Sequence, residues 1–404
     1  MKRKLDDWLT SYEEYTSYSE APASYHTWTG ISCIAGALQR KVYIKWPRPI
    51  YPNNFIILVG PSGHARKNDA IQEGKVMLKS LTMPIISDDN SPESIIQQLA
   101  EDCAITFNDG DRTKVQTTAT AFTPELATFT GNRNGKFLVY LTDWYDCADS
   151  WERRTKHQGI DTITGLCFNL LGATAPDWIP YILTEEATGG GFTSRCIFIV
   201  EEDKGKIVAD PNLLRPSPAL KEDLLFDLEC INMLTGELKF DEEAYELYTA
   251  WYIETMESDQ RGDWAIPDPL FRGYCARRAT HIKKLCMALS ASRGDSLEIS
   301  GADWERGLNL LTAAENKMPN VFARVGTAAY VQQTADILAY ITQNKKVTKA
   351  DIMNRFYRSV DGTTLEVVIK VLVDMKKIRV ILDIEGEDTR YEYIEDISAS
   401  LGTS

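Results

Sequence analysis

The stretch from Asn54 to Ile71, NFIILVGPSGHARKNDAI, places the strongest constraint on the fold. Its apolar run at 55–59 has the composition of a central parallel strand that is covered on both faces. The sequence GPSG at 60–63 ends that run, and helical spacing begins at Asp69. The stretch therefore predicts a buried strand, a glycine-containing loop and a helix in succession, which is a unit of an α/β fold.

The predicted loop has the layout that binds phosphate groups. In such loops backbone N–H groups converge on the anion, the helix dipole favours it, and a lysine reaches the outer phosphates. We therefore expect the chain to bind ATP together with Mg²⁺. The expected binding residues are Gly60, Pro61, Ser62, Gly63, His64, Ala65, Arg66, Lys67, Asn68 and Asp69.

The loop matches the pattern G-x-x-x-x-G-K-[ST] only in part. Counted from Gly60, the sixth to eighth positions hold Ala65, Arg66 and Lys67. A loop that is one residue longer gives the lysine role to Lys67 and places Asn68 where a hydroxyl residue binds magnesium. We favour the longer loop because Lys67 then supplies the usual ammonium group, although an amide is a poorer magnesium ligand than a hydroxyl. A glycine turn flanked by solvated charges is the alternative interpretation.

Composition limits the class of protein. The chain has 58 Asp and Glu against 44 Lys and Arg, so its net charge is −14. This balance disfavours a protein that coats duplex DNA over its whole surface, but it allows a local basic channel for a single strand. We see no apolar run of about 18 residues and no secretory signal, which predicts a cytoplasmic protein that does not enter a membrane. The eight scattered cysteines are expected to be reduced thiols.

A chain of 404 residues is too long for one typical core, so several domains are expected. We divide it into an N-terminal helical cap at 1–53, an ATPase core at 54–210, a helical domain at 211–326 and a C-terminal domain at 327–404. A proline-containing linker at 201–219 spans the second boundary. In the last domain three short helical patterns precede two strand patterns, which is the order of a winged helix.

A carboxylate follows another expected strand. The run TATAFT at 118–123 leads into Pro124 and Glu125. An acid just past a strand that is parallel to the phosphate-loop strand can orient the attacking water and lie near magnesium. Glu125 is therefore the expected catalytic acid and, with Asn68, the expected metal ligand. A glutamate at an ordinary helix start is the structural alternative.

Two other acids compete with Glu125 for this role. Asp143 and Asp146 follow a further apolar run at 138–141. If that run is a strand, either carboxylate takes the position at its end.

Two polar residues complete the expected site. In the apolar strand pattern at 166–174, Asn169 or Thr174 is placed to sense the γ-phosphate. Arg195 follows three glycines at 189–191 and opens another strand pattern. An arginine there can complete the active site of a neighbouring subunit. A surface arginine at a strand start is the alternative interpretation.

Five of these pieces, in this order, resemble the phage and prophage ATPase family of primase-helicase type. They cover roughly residues 10–200, about half of the chain, and read GPSGHARKNDAI, FTPEL, YD…W…RTKHQG, NLLGATAPDW and GGGFTSR. The resemblance implies a P-loop NTPase core that is RecA/AAA+-like, in a replication module of a mobile element within a bacterial host cell. It places the phosphate loop at Gly60 to Asn68, the acid at Glu125 and the arginine at Arg195.

The expected function is an ATP-driven motor or initiator of DNA replication. It is expected to act on DNA, chiefly single-stranded, as a ring-shaped homo-oligomer with a replication partner protein. Translocation and duplex opening are implied by the resemblance alone. Two alternatives stay open: a poorly hydrolysing ATP switch whose winged helix recruits a partner, and a sequence-specific DNA-binding regulator with a degenerate nucleotide fold.

Overall fold

The structure is a computed structural model. It describes residues 2–86, 90–109, 112–131, 134–155, 159–179, 191–210, 214, 216–323, 325–357, 360–381 and 389–394. Residues 156–158 and 180–190, which hold parts of the RTKHQG and GGGFTSR motifs, lie outside the described residues. Contacts divide the chain into two compact units, Met1–Phe322 and Ala323–Ser404.

The first unit contains mixed helices and strands. In chain order they are α1 Trp8–Tyr15, α2 Ala23–Leu38, β1 Val42–Tyr43, β2 Phe55–Val59, α3 Lys67–Ser80, β3 Ile85–Ile86, α4 Pro92–Glu101, β4 Ala104–Asp109, β5 Arg112–Thr123, α5 Leu126–Thr130, α6 Gly135–Tyr145, β6 Ser150–Thr155, β7 Gly159–Thr164, β8 Leu166–Thr174, β9 Cys196–Val200, α7 Pro218–Met233, β10 Gly236–Glu237, β11 Lys239–Phe240, α8 Glu242–Arg261, α9 Arg272–Cys275, α10 Arg278–Arg293, β12 Glu298–Ile299, α11 Gly301–Glu315 and α12 Pro319–Ala323.

A mostly parallel sheet forms the centre of this unit. Its strand order is β3-β5-β8-β2-β9, and β4 adds to β5 in the antiparallel direction. In β2, Phe55 pairs with Leu170 and Val59 with Thr174. The carboxyl ends of β2, β5, β8 and β9 therefore meet along one edge of the sheet, which we call the carboxyl edge; we call the opposite edge the amino edge.

Alternating side chains of β8 show how helices cover both faces of the sheet. The Asn169 amide donates to the Ser32 carbonyl of α2 at 3.0 Å. The neighbouring Phe168 points to the other face, where its ring lies 5.2 Å from that of Trp144 in α6. Because successive side chains of a strand point to opposite faces, α2 and α6 lie on opposite sides of the sheet.

Helix α2 is part of the core of the first unit. It is buried without a break from Tyr25 to Leu38 and packs against α1, α3, α7 and α10. Residues 1–53, expected to form an N-terminal helical cap packed on the ATPase core, lie in one compact unit with the central sheet and supply this buried helix. Much of the expected helical domain also packs here, since α10 is buried from His281 to Ser292.

One expected strand is a helix. The apolar run at 138–141 lies inside α6, which begins after Asn134, whose side chain accepts a hydrogen bond from the Phe137 amide. Asp143 therefore lies within a helix, and Asp146 lies at its C-terminus. The prediction that either acid follows a parallel strand is wrong, so neither competes with Glu125 for that position.

The second unit contains three helices and a small sheet. Its elements are α13 Val325–Asn344, β13 Lys346–Thr348, α14 Lys349–Phe356, α15 Gly362–Asp374, β14 Ile378–Ile381 and β15 Arg390–Tyr393. The strands form an antiparallel sheet in the order β13-β15-β14. A core that includes Ile337, Ile352, Leu365 and Tyr391 holds these elements together. The three helices and the last two strands were expected, whereas β13 was not.

Within the part of the chain that is described, we find no helix with the length and apolarity needed to cross a membrane.

Replacing Gly74 of α3 tests the close contact between α2 and α3. A Cβ at this position would lie 2.4 Å from Thr29 Cγ2 and 3.1 Å from Cys33 Sγ. We expect Gly74→Ala to lower the free energy of unfolding by about 1–3 kcal/mol through overpacking. Denaturant unfolding followed by tryptophan fluorescence measures this change, because all nine tryptophans lie in the first unit.

The matched control is Gly135→Ala in the first turn of α6, where an added Cβ meets nothing within 4 Å. That variant is expected to be neutral or more stable by about 0.5–1 kcal/mol, because alanine favours a helix over glycine. Equal effects of the two substitutions would contradict close packing at Gly74.

Candidate functional site

The loop that joins β2 to α3 lies at the carboxyl edge, where the sheet changes direction. After β2 the chain crosses to β3 on one side and returns through β5 and β8. It then passes to β9 on the other side of β2. In open α/β sheets ligands bind outside the carboxyl ends of the strands at such a switch point. The fold therefore places the loop at the position where a ligand is expected.

Glycine is required at two positions of the loop for different reasons. A Cβ on Gly60 would lie 2.6 Å from both the Glu201 carbonyl oxygen and the Tyr25 hydroxyl. Gly63 has a φ of +70° and open space around it, so its backbone conformation is the constraint. Arg66 also has a left-handed φ, +51°, and α3 begins directly after it. This turn brings Lys67 to the first position of the helix.

Lys67 lies over the loop. Its Nζ donates to the Gly60 carbonyl at 2.5 Å and to the Pro61 carbonyl at 3.1 Å. The side chain is partly buried, and burial lowers the pKa of Lys67. Among the described residues these carbonyl oxygens are its only hydrogen-bond partners, so the ammonium group is available to a stronger, negatively charged partner.

The other two basic side chains of the loop turn away from it. Arg66 forms an ion pair with Glu20 at 3.0 Å, and His64 contacts Asp203 at 2.9 Å. Arg66 and Lys67 were the two residues considered for the lysine role, and only the Lys67 cation lies over the loop.

Backbone amides of the loop are open to a ligand. Ser62, Gly63 and His64 are exposed, and among the described residues their amides donate no hydrogen bond. Asn68 and Asp69 are exposed in the first turn of α3. Open amides, a helix N-terminus and the Lys67 ammonium together favour an anion.

Glu125 lies close enough to Lys67 for the two charges to interact. It follows β5 and is the residue directly before α5. Burial raises the pKa of Glu125, and the Lys67 charge acts in the opposite direction. Its Oε1 atom is buried and, within the described residues, has no hydrogen-bond partner. A buried carboxylate oxygen without a donor is a site for a bound water or ligand.

The structure does not support Asn169 as a phosphate sensor. Asn169 precedes Leu170, which pairs with the first residue of β2, so it lies at the amino edge. Five residues of strand, about 16 Å, separate it from Thr174 at the carboxyl edge. Its side chain is also fully engaged, since it accepts from the Asn54 amide at 2.9 Å and donates to the carbonyl and hydroxyl of Ser32. Asn169 is a structural residue.

Thr174, the other residue considered for sensing, lies beside the loop. Its carbonyl accepts a hydrogen bond from the Gly60 amide at 3.3 Å. Its hydroxyl is buried and donates to the Ala175 carbonyl at 3.2 Å.

Arg195 is not placed to act on a neighbouring subunit. Its side chain is only 7% exposed and pairs with Asp146 at 2.6 Å. A second hydrogen bond reaches the Gly191 carbonyl at 2.9 Å. The following residue, Cys196, pairs with Phe55 at the amino edge. A finger that completes another active site must project from the surface, so the expected role of Arg195 is wrong.

Two residues beside the loop were not expected. The Tyr25 hydroxyl donates to the Val59 carbonyl at 2.7 Å, which ties α2 to the end of β2. Glu201 follows β9 and accepts from Lys317 at 2.7 Å. The position of Glu201 just after an apolar strand pattern is the same signal that identified Glu125. Tyr25 gave no signal in the sequence.

Within the described ranges no three or more His, Cys, Asp or Glu residues come together to form a metal site. Proteins commonly hold Mg²⁺ through only one or two of their own oxygens, with phosphate and water oxygens as the other ligands. Glu125, with its partnerless oxygen, and the exposed Asn68 are the protein groups suited to that role.

Replacing Asn169 separates a structural role from a sensing role. We expect Asn169→Ala to lower the free energy of unfolding by about 1–3 kcal/mol for each buried partner left unpaired. The folded protein is expected to keep its affinity for ATP. Denaturant unfolding and titration with a fluorescent ATP analogue measure the two quantities. Normal stability with a loss of ATP affinity would restore the sensing role.

No protein-family model matches the sequence, and no curated protein matches it. The resemblance described above therefore stays a prediction. What distinguishes the site is the geometry of this chain: a glycine-containing loop with open amides at the switch point of the sheet, one lysine folded over it, and a partly buried carboxylate nearby.

Proposed function

We propose that the chain binds ATP with Mg²⁺ at residues 60–69 and hydrolyses it. The observation that carries this proposal is the meeting of Lys67 and Glu125 at the carboxyl edge. Their strands, β2 and β5, are separated by β8. A cation that only carbonyls hold and a carboxylate oxygen that lacks a donor are the two groups that a bound triphosphate and an attacking water would satisfy.

Binding would use the loop amides and Lys67. The triphosphate would replace the Gly60 and Pro61 carbonyls as the partner of the Lys67 ammonium, and a charge-assisted bond would replace two neutral acceptors. Arg66 and His64 already have acidic partners, so Lys67 is the loop cation that faces the phosphates.

Hydrolysis would use Glu125. Its raised pKa makes the carboxylate a better proton acceptor, and its buried oxygen can orient a water for attack. Bound Mg²⁺ would neutralise charge that develops on the phosphates, with Asn68 and Glu125 as its protein contacts. Thr174 is the polar residue at the end of the strand between β2 and β5 that is best placed near the γ-phosphate.

For the first unit we propose a P-loop NTPase fold of the RecA/AAA+-like kind. Strand β2, which leads into the loop, lies inside a parallel sheet. Glu125 follows β5, a parallel strand that is separated from β2 by one strand, β8. For the second unit we propose a winged helix, because three helices are combined with a three-stranded antiparallel sheet.

At the level of the whole protein, we propose a DNA-replication motor or initiator that works as a homo-oligomeric ring on single-stranded DNA with a partner protein. The motif order is its support. With Arg195 held inside its own chain, a ring must take its trans-acting arginine from another residue.

A second function is favoured by one observation. Asn68 occupies the place of the magnesium-binding hydroxyl and is exposed in the first turn of α3. An amide in that position weakens magnesium binding, which favours an ATP-dependent switch that hydrolyses slowly and recruits a partner through the second unit.

Lys67→Ala and Glu125→Gln test the proposed site. We expect Lys67→Ala to weaken ATP binding by about 10- to 100-fold, because charge-assisted bonds to phosphate are lost. Glu125→Gln is expected to keep ATP binding and to lower turnover by about 10²- to 10⁴-fold, because the proton acceptor is removed. Steady-state phosphate release and equilibrium binding of a fluorescent ATP analogue measure these effects.

The control is Lys79→Ala, which removes an exposed lysine from the last turn of the same helix. That variant is expected to bind and hydrolyse ATP as the original protein does. If all three variants behave alike, or if the original protein does not bind ATP, the loop is a structural turn.

Asn68→Thr distinguishes the motor from the switch. A hydroxyl at this position is expected to raise the magnesium-dependent affinity for ATP several-fold, with Asn68→Ala as the comparison. If turnover rises together with affinity, the amide limits hydrolysis and the natural protein is a slow switch. If neither changes, Asn68 is not a magnesium contact.

A further inference from the structure

A large cavity opens at the amino edge of the sheet, on the opposite side from the phosphate loop. Its volume is about 760 Å³, and its walls come from the segment after β1, the end of α6 and helix α10. A second cavity of about 360 Å³ shares Arg40, Tyr51 and Asp149 with it. The two cavities are therefore neighbours, and we call them together the amino-edge groove.

The groove is lined by more basic side chains than acidic ones. Its two carboxylates are already paired, Asp149 with Arg40 at 2.5 Å and Asp146 with Arg195 at 2.6 Å. Three other cations line the larger cavity: Arg48, Arg277 and Lys284.

Within the described ranges these three cations form no ion pair. Arg277 donates to the Ser194 hydroxyl at 3.1 Å, and Lys284 donates to the Asn53 carbonyl at 2.9 Å. Burial lowers the pKa of Lys284, and the nearby Asp146 acts in the opposite direction. The larger cavity is thus lined by three cations in excess, of which Lys284 is buried, in a chain whose net charge is −14. Such a concentration of uncompensated charge favours an anionic ligand.

A short projecting loop carries an aromatic ring and two basic residues beside the groove. Residues 45–49, KWPRP, are exposed, and a pair of hydrogen bonds between Ile44 and Ile50 closes the loop at its base. Its two prolines restrict the backbone. Trp46 is 40% exposed although the Lys283 ammonium lies 4.4 Å from its ring centre. Part of the indole is therefore available to stack on a ligand.

These features together indicate a polymer with both phosphates and bases. A small anion would use one or two neighbouring cations, whereas Arg48 and Arg277 come from separate segments that line a cavity of about 760 Å³. Rings accompany the cations, with Tyr51 stacked under Arg40 at 4.6 Å. Cations that follow a groove with aromatic rings for stacking are the pattern of single-strand binding. A duplex would keep its bases paired and offer none to Trp46.

We propose that the amino-edge groove binds single-stranded nucleic acid, with phosphates at Arg48 and Arg277 and a base stacked on Trp46. The site is separate from the phosphate loop and does not depend on ATP. It deepens the proposed motor function, on which its biological meaning rests, because it supplies the place where the strand is held.

The test is fluorescence anisotropy of a fluorescein-labelled oligo(dT), measured with the full chain at several salt concentrations without nucleotide. Arg48→Gln and Arg277→Gln are each expected to reduce the slope of log affinity against log salt by about 0.7, the value for one phosphate contact on a single strand. Trp46→Ala is expected to weaken binding by about tenfold or more, and Trp46→Phe to restore much of it.

The matched control is Lys206→Gln, an exposed lysine in the segment after β9, at the carboxyl edge. It removes the same charge and is expected to leave both affinity and salt slope unchanged. Arg48 and Trp46 are exposed loop residues, so their variants are expected to fold, and circular dichroism checks this. Lys67→Ala is expected to bind the oligonucleotide normally, so a failure of the ATP site and a failure of the groove give different results.

Four outcomes would overturn the proposal. The original protein binds no oligonucleotide, or the variants at Trp46, Arg48 and Arg277 all bind as it does, which would place binding elsewhere, such as in the second unit. A duplex of the same length competes as well as the single strand, which would contradict base stacking. Inorganic phosphate at low concentration displaces the strand fully, which would indicate a small-anion site.

Discussion

The first unit depends on the burial of helix α2 around its whole circumference. Close contacts on two sides fix its position: a Cβ on Gly30 would lie 2.5 Å from Leu9 Cδ1, and Gly74 of α3 meets it on another side. Polar contacts then connect the helix to the sheet, from Ser32 to Asn169 at one edge and from Tyr25 to the Val59 carbonyl at the other. The geometry of the loop between β2 and α3 is therefore set partly by a helix that precedes it by more than twenty residues.

Strands that are buried on both faces were predictable, and helix α6 was not. The apolar runs at 55–59, 166–174 and 196–200 are strands β2, β8 and β9, because a parallel strand covered on both sides needs apolar residues at every position. The run at 138–141 has the same composition over fewer residues, and such a run does not distinguish strand from helix. The helix-capping Asn134 was the signal that could have decided it.

The candidate site was predictable where it follows from strand ends. Lys67 and Glu125 meet because the carboxyl ends of parallel strands share an edge. The sequence showed that Asn169 lies in a strand, but not at which end of it. In the nine-residue strand β8, Asn169 lies toward the amino edge, so it does not reach the phosphate side. Arg195 failed because its ion-pair partner, Asp146, is 49 positions away in the sequence. The amino-edge groove could not be foreseen for the same reason, since its cations come from segments that are distant in the chain.

Gly60 illustrates how folding and function are mixed in one motif. Any Cβ there would lie 2.6 Å from the Glu201 carbonyl and the Tyr25 hydroxyl, so the fold needs this glycine whether or not a phosphate ever reaches the loop. Packing places no such requirement on Lys67 and Glu125. In relatives that do not bind nucleotide, selection for folding would still retain Gly60, whereas Lys67 and Glu125 could be substituted. The relative substitution rates at these three positions would thus distinguish a loop that only supports the fold from one that also binds nucleotide.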